Sequence, residues 1–414
     1  MTDVTTTRCC IVGAGPAGAM LGLMLARAGV PTVLLEGHDD FDREFRGDTL
    51  HPSAMEILDD LGLADRVLKL PHEKVPRFSF ITDSGVLPVG DFGWLRTRFP
   101  YITLVHQAQF LKLVTGEAAR SSQFTLVTGA HVRELITSDG AVRGVRYRDR
   151  DGWHEIHALL TVAADGRSST VRRLAGLEPV RTSPPMDILW FRLPRQPGDP
   201  EGSGGRALKG HFLVLLRRED HWQVGYAFPK GTYKQVRAEG MPALRAAIAE
   251  AAPEFLGRLD VLGDWKDVSL LSVESSRLRR WYQPGLLLIG DAAHVMSPVG
   301  GVGINYAIQD AVAAANLLEA PLRAGRVSLL DLAKVQRRRD LPTRVVQTFQ
   351  ALVQRQLASA LQGSPPHTLS RVMSLVTRVP GLRAVPVRLI AYGLRPSRPN
   401  PRFTAGAHPR LRFG

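Results

Sequence analysis

Residues 11–36 form one complete βαβ unit, and nothing else in the chain restricts its fold so tightly. The apolar run Cys9 to Val12 reads as a buried parallel strand. A glycine-rich turn follows, Gly13-Ala14-Gly15-Pro16-Ala17-Gly18, and then an Ala/Leu/Met helix over Ala17–Ala28 that stops at Gly29. Thr32–Leu35 supplies the second strand. Gly13 permits the tight turn, Gly15 lets backbone approach a pyrophosphate, and Gly18 lets the helix lie close to the strand. The helix N-terminus offers N–H groups beyond Pro16, which has none, and the positive end of the helix dipole to phosphates. Glu36 stands about 20 residues past the glycines, where a carboxylate accepts ribose hydroxyls. A Gly-rich turn alone would be a weak sign; strand, helix, strand and terminal acid together describe a dinucleotide cradle.

The chain is 414 residues long, more than one average core accommodates, so two domains are expected. Its 44% hydrophobic and 22% charged residues fit a soluble globular protein. The two cysteines are adjacent, Cys9 and Cys10, and cannot staple distant parts together. That usage fits a reducing, cytoplasmic setting. The N-terminus is polar and shows no signal peptide, and no apolar stretch of ~18 residues suggests a membrane span.

A net charge of +14 suggests nucleic acid until it is located. From Arg323 to the end there are 17 Lys and Arg against 2 acidic residues, which leaves the remainder at −1. The body of the chain therefore carries no basic field, and no nucleic-acid module is present.

Past the cradle, Pro52–Leu61 has helical spacing, and a Gly/Pro-punctuated region holds short strands such as Arg77–Thr82 and Val86–Val89. Gln107–Arg120 reads as a helix. Thr125–Leu135, Ala141–Tyr147 and His154–Ala164 read as strands. From about Pro179 to Ser276 the texture changes to a sheet-rich insert. Ile188–Leu193, Gly210–Leu216 and Trp222–Phe228 have strand composition, Met241–Ala251 is helical, and polar Pro194–Gly210 reads as a mobile loop. The buried-strand pattern returns at Gly285–Ile289.

Two later segments each follow a strand and precede a helix. One is Val162-Ala-Ala-Asp165-Gly166-Arg167, leading into Val171–Leu174. The other runs from Gly290-Asp291-Ala-Ala-His294 through Pro298-Val-Gly300-Gly301-Val-Gly303-Ile304-Asn305 to a helix at Tyr306–Leu318. A carboxylate at a strand end can accept hydroxyls from a polyol chain, and the glycines let backbone N–H groups reach an electron-poor ring edge.

These three stations, in this order and at these separations, resemble the FAD-dependent aromatic hydroxylases, the single-component flavoprotein monooxygenases of the para-hydroxybenzoate hydroxylase fold. The resemblance covers about residues 8–345. It implies an α/β fold with a Rossmann-like FAD-binding domain, an inserted mixed β-sheet substrate domain and a C-terminal helical segment. The expected division is 1–75, 100–180 and 277–345 for FAD, 76–99 and 181–276 for substrate, and 346–414 for the basic segment. By resemblance, Gly13, Gly15, Pro16, Ala17, Gly18 and Glu36 hold the ADP half of non-covalent FAD, and Arg46 contacts the pyrophosphate side. Gln107 meets the ribityl region, Asp165 serves both FAD and the path of NADPH or NADH, and Asp291 holds ribityl or pyrophosphate. Gly303, Ile304 and Asn305 present N–H groups to the flavin O2/N1 edge, and Pro298 lines the reaction cavity. Pro298, Gly303 and Ile304 are thus the expected catalytic positions. They act by placing the cofactor, since the oxygen chemistry belongs to the flavin and no side chain need be a nucleophile. No metal is implied.

The activity implied is NAD(P)H- and O2-dependent hydroxylation of an aromatic or polyketide-like small molecule through a flavin C4a-hydroperoxide. The same scaffold serves alkene epoxidases, isoprenoid double-bond reductases and halogenases, but the Trp-x-Trp-x-Ile-Pro signature of the last is missing. A flavin-bound regulatory protein without turnover is the alternative of a different class. Candidate substrate residues are Trp190, Arg192, Phe212, Trp222 and Tyr226, with His51 and Met55 behind Arg46. For the aromatics, plain sheet core is an equal reading, and His294 reads mainly as a structural neighbour of Asp291. Residues 366–395 mix apolar side chains with Arg371, Arg378, Arg383, Arg388 and Arg395, broken by Pro380 and Pro386. Such an element can touch an anionic membrane, join a homodimer, or pack across the flavin domain with its arginines solvated. Pro396–Gly414 reads as extended or disordered.

Overall fold

Five parallel strands form the centre of the protein, in spatial order Phe124–Val127, Thr32–Leu35, Asp3–Val12, Trp153–Ala163 and Leu286–Leu288. The structure is a computed structural model and describes residues 3–42, 48–83, 85–182, 184–208, 210–361 and 384–404. Arg46 and most of the basic segment therefore lie outside the described residues. Both faces of the sheet are covered, which is why its strands read as unbroken apolar runs. Cys9 and Ile11 pack under helices Pro16–Arg27, Gln107–Ala118 and Gly303–Arg323. Cys10 and Val12 face the opposite core, with Val145, Tyr147 and Trp281. Both cysteines are free and buried.

The insert is a mixed sheet of seven strands among the described residues. Its order is Ser269–Leu271, Met186–Pro194, His221–Pro229, His211–Arg217, Gly204–Leu208, Arg77–Thr82 and Gly85–Asp91. Neighbours are antiparallel except Gly204–Leu208 and Arg77–Thr82, which run parallel. The strand expected over Thr125–Leu135 is two strands, because Gly129 takes a left-handed turn with φ 67°. Phe124–Val127 stays in the central sheet and His131–Ser138 leaves to pair with Ala141–Arg148. The loop expected over Pro194–Gly210 contains a paired strand, Gly204–Leu208. The helix expected at Met241 begins earlier, at Tyr233, and kinks at Gly240, two residues before Pro242.

Helix Leu329–Leu361 runs straight across residue 345, where the sequence suggested a change of unit. Of the two prolines expected to break the basic segment, Pro380 lies outside the described residues and Pro386 lies within helix Ala384–Tyr392. Of the stretch Pro396–Gly414 expected to be extended or disordered, the described residues 396–404 lack regular structure up to a 3-10 turn at Pro401–Phe403 and are docked. Phe403 is fully buried in the nucleotide-layer core, Arg27 donates to its carbonyl, and Arg398 pairs with Glu56 and Asp60. No helix among the described residues is long and apolar enough to cross a membrane.

Candidate active site

The carboxyl ends of the three central strands lie in register. Val12 pairs with Ala163 and Ala163 with Leu288, so the loops starting at Gly13, Asp165 and Gly290 leave one edge of one sheet side by side. Ligand sites of open α/β sheets lie outside this edge. Two backbone bonds stitch the edge together, Ala164 N–H to Val12 O at 2.7 Å and Ile289 N–H to Ala163 O at 3.0 Å.

In the first loop each glycine has a separate reason. A side chain at Gly18 would collide with the Gly13 carbonyl, so the helix could not lie this close to the strand. Gly13 has φ 99° and would press a Cβ against Ala164 and Asp165. At Gly15 a Cβ would meet nothing within 4 Å. The backbone at the start of helix Pro16–Arg27 therefore faces open space, as a diphosphate cradle requires. Glu36 is buried at the end of the second strand. Its carboxylate accepts the Ala14 N–H at 2.9 Å and the His38 N–H at 3.0 Å, which fixes the acid beside the turn. These donors and this acid fit the diphosphate and ribose of a dinucleotide.

The second and third loops are tied to each other by Arg172. Its guanidinium donates to the Ala292 carbonyl at 2.9 Å and to the Arg167 carbonyl at 2.6 Å. Asp165 accepts from Ser169 Oγ and from the Val171 N–H, so its carboxylate caps the short helix Thr170–Leu174. Burial pushes its carboxyl above the usual range, against the pull of those bonds. Asp291 stands half-buried in the turn Gly290–Ala292. His294 lies in a fully buried network: its Nε2 meets Asp310 Oδ2 at 2.6 Å, Arg339 Nε donates to Asp310 Oδ1 at 2.7 Å, and the Gly290 N–H donates to the same carboxylate at 3.0 Å. Burial raises the Asp310 carboxyl, but His294 and Arg339 outweigh it and hold the net value below the ordinary one. Asp310 and Arg339 were not singled out from sequence; a charged residue in the run Ile308-Gln-Asp310-Ala-Val312 was the available signal.

The loop from Pro298 to Asn305 ends in helix Gly303–Arg323, whose first-turn N–H groups at Gly303, Ile304 and Asn305 have no acceptor one turn back. The Asn305 side chain is committed elsewhere. It donates to the carbonyls of Thr49 and Gly301, each at 3.0 Å, and accepts the His51 N–H at 2.8 Å. Gln107 begins helix Gln107–Ala118, and its N–H donates to Asp48 Oδ1 at 3.3 Å. His51 and Met55 line no opening. Both are fully buried, and His51 Nδ1 is hydrogen-bonded to the Ile390 carbonyl of the C-terminal helix.

Strand alternation divides the five substrate candidates. Trp222 and Tyr226 point to the outer face, under helix Tyr233–Ala251; Trp222 packs on Phe255 and donates to Asp199, and Tyr226 meets His211. They are sheet core, which corrects the pocket reading for both. Trp190, Arg192 and Phe212 occupy the inner face with Gln223, the cross-strand partner of Arg192. Gln223 accepts from Arg218, and Arg218 reaches Asp48 beside Gln107, so this is the face turned to the nucleotide layer. Asp48 and Arg218 were also missed as side chains that join the layers.

A five-stranded parallel cradle with three converging loops, covered by one face of an inserted mixed sheet, is the architecture of a flavoprotein monooxygenase. The chain belongs to the FAD binding domain family, whose pattern matches residues 6–348. It is 34% identical over 393 residues to 6-methylpretetramide 4-monooxygenase of Streptomyces rimosus, covering 94% of this chain and 93% of that one. Among solved structures it resembles OxyS anhydrotetracycline hydroxylase from Streptomyces rimosus, with TM-score 0.75, 26% identity, and 94% and 76% of the two chains covered. The p-nitrophenol 4-monooxygenase PnpA from Pseudomonas putida shares the fold, with TM-score 0.76 at 20% identity, covering 94% and 97%.

Proposed function

We propose that this protein uses FAD, NADPH or NADH, and O2 to hydroxylate a polycyclic aromatic or polyketide-like small molecule. The observation that supports the reading is the register of Val12, Ala163 and Leu288, which brings the three strand-end loops expected to serve the cofactor to one sheet edge. The relatives named for pretetramide and anhydrotetracycline oxygenation support the substrate class.

When bound, FAD would supply the redox and oxygen chemistry, with NAD(P)H as the electron source, one oxygen atom of O2 going to an electron-rich ring and the other to water. The chain supplies placement. Gly13, Gly15 and Gly18 with the Pro16–Arg27 helix start would hold the diphosphate, and Glu36 would hold the ribose. The backbone N–H groups of Gly303, Ile304 and Asn305 would stabilise negative charge on a reduced ring edge, in the manner of an oxyanion hole. Trp190, Phe212 and Arg192 form the wall facing the substrate, and the inserted sheet keeps water from the reacting edge.

The test is direct. Purified protein should be yellow or bind added FAD, and O2 uptake with NADH or NADPH should rise on adding phenolic polycycles, with product heavier by one oxygen atom. Protein that cannot be loaded with FAD, or that consumes no O2 with any such compound, defeats the proposal.

A further inference from the structure

The loop that carries Pro298 is held by side chains of a helix the sequence placed at the edge of the basic segment. Helix Leu329–Leu361 presents Gln347, Gln350 and Gln354 toward this loop, at a spacing that puts all three on one face. Gln350 is 2% exposed. Its Nε2 donates to the Ser297 carbonyl at 2.8 Å and to the Val299 carbonyl at 2.7 Å, the two that flank Pro298. The carbonyl between them, that of Pro298, accepts the Gly301 N–H at 3.0 Å. Gln354 adds a bond from its Nε2 to Ser297 Oγ at 2.7 Å, and Ser297 Oγ accepts the Val299 N–H at 3.2 Å. The amide orientation of Gln350 follows from its acceptors, since a flipped amide would set its oxygen against two carbonyl oxygens.

We infer that Gln350 is a positioning residue: one side-chain amide grips both carbonyls around Pro298 and so fixes the peptide planes from Pro298 to Gly301 that lead into the Gly303 helix start. Two left-handed glycines, Gly300 at φ 78° and Gly301 at φ 61°, follow immediately. Paired glycines leave neighbouring peptide planes easy to rotate, and a rotated plane would shift the Pro298 ring and the N–H groups after it. The clamp comes from helix Leu329–Leu361, whose Leu357 packs against the inner face of the insert, and the Gln350 amide itself ends on backbone carbonyls of the loop. Its role toward the reaction rests on the functional reading above; its role toward the loop does not.

The experiment compares full-length wild type, Gln350→Met and Gln350→Glu, each loaded with FAD, by local hydrogen exchange and by the partition of oxidised NAD(P)H between hydroxylated product and hydrogen peroxide. The Met variant keeps the volume and removes both donors. The Glu variant keeps the shape and turns oxygens toward the two carbonyls. Amides in 299–304 are expected to exchange about tenfold faster in the Met variant and faster still in the Glu variant, with amides 17–26 of the cradle helix unchanged. Product per NAD(P)H is expected to fall in the same order, with peroxide making up the difference. Unchanged exchange at 299–304, or acceleration spread equally to 17–26, overturns the assignment. A wild-type protein without hydroxylase activity would remove the functional reading, and the exchange comparison would still judge the clamp.

Discussion

Arg218 of the inserted sheet and Asp48 of the nucleotide layer meet as a buried ion pair, Nη2 to Oδ2 at 2.6 Å, with side chains 5% and 14% exposed. The pair is built into a network. Gln223 Oε1 accepts from Arg218 Nε and Nη2, and Asp48 Oδ1 accepts the Gln107 N–H. Burial pushes the Asp48 carboxyl above its ordinary value even beside Arg218, and burial lowers the Arg218 guanidinium. Removing one partner is therefore worse than removing both. Arg218→Met should cost ~3–5 kcal/mol of stability, and adding Asp48→Asn should restore part of that loss. A carboxyl with a raised folded value contributes stability at low pH that is lost as pH rises through that value. The single variant should accordingly suffer least in acid. Urea unfolding of both variants across pH 4–7 checks this, and a single-variant loss under ~1 kcal/mol without pH dependence refutes it.

Gly15 and Gly18 should separate cofactor binding from folding. Gly15 has φ −67° and ψ −177°, which alanine adopts freely, and open space where the methyl would go. Gly15→Ala should leave the thermal midpoint of FAD-free protein within a degree or two while weakening FAD binding on the order of 10²-fold, because the methyl occupies the diphosphate's place. Gly18→Ala meets the Gly13 carbonyl, so it should destabilise the FAD-free protein itself by ~1–3 kcal/mol. Calorimetry and fluorescence titration on the two variants would expose the opposite pattern if the cradle is wrongly read.

The parts legible from sequence are those in which local pattern and tertiary role coincide. Cys9–Val12 is apolar throughout because both its faces are covered, and Gly13, Gly15 and Gly18 are needed by the turn they form. Trp222 and Tyr226 were open to two readings because period-two alternation says which residues share a face and not what covers it. Helix Tyr233–Ala251 decided that. Asp48, Arg218, Arg339 and Gln350 were invisible for a different reason: each acts through a partner 29 to 170 residues away or, for Gln350, through backbone carbonyls more than 50 residues away. Nothing local in the chain marks a carbonyl as an acceptor. Phe403 was hidden in a Pro/Arg-rich stretch whose composition suggested solvent, although one aromatic side chain suffices to dock it.

His51 makes the acid limit of stability specific. It is fully buried, and burial lowers its imidazole from 6.5 to about 4, against the opposing pull of the Ile390 and Gly300 carbonyls. A lowered value contributes stability that is complete above the unfolded-state value and is lost as pH falls through the folded one. Between pH 6.5 and pH 4 the wild type should therefore lose up to about 3 kcal/mol through this residue. His51→Gln carries no such charge, so the stability gap between wild type and variant should narrow by about that amount over the same range. A gap that stays constant, measured by urea unfolding at each pH, would show that His51 does not titrate in this window.

The two faces of the inserted sheet should respond to mutation in different currencies. Trp222 is fully buried between the sheet and Phe255, with its indole N–H on Asp199. Trp222→Ala should cost ~3–5 kcal/mol in stability, from lost contact and the cavity left behind. In protein that remains folded, kcat/KM should stay within about twofold, because the residue faces helix Tyr233–Ala251. Tyr226→Phe, losing its contact with His211, should cost ~0.5–1.5 kcal/mol and likewise spare catalysis. Trp190 is half-buried on the inner face, with its ring against Gly225. Trp190→Ala should raise KM about tenfold or redistribute the hydroxylated products, while the unfolding midpoint moves little. Steady-state kinetics with product analysis, paired with thermal unfolding, separates the two outcomes. Loss of substrate discrimination in Trp222→Ala, with none in Trp190→Ala, would mean that the substrate lies on the helix-covered side and that the inner face has been assigned wrongly.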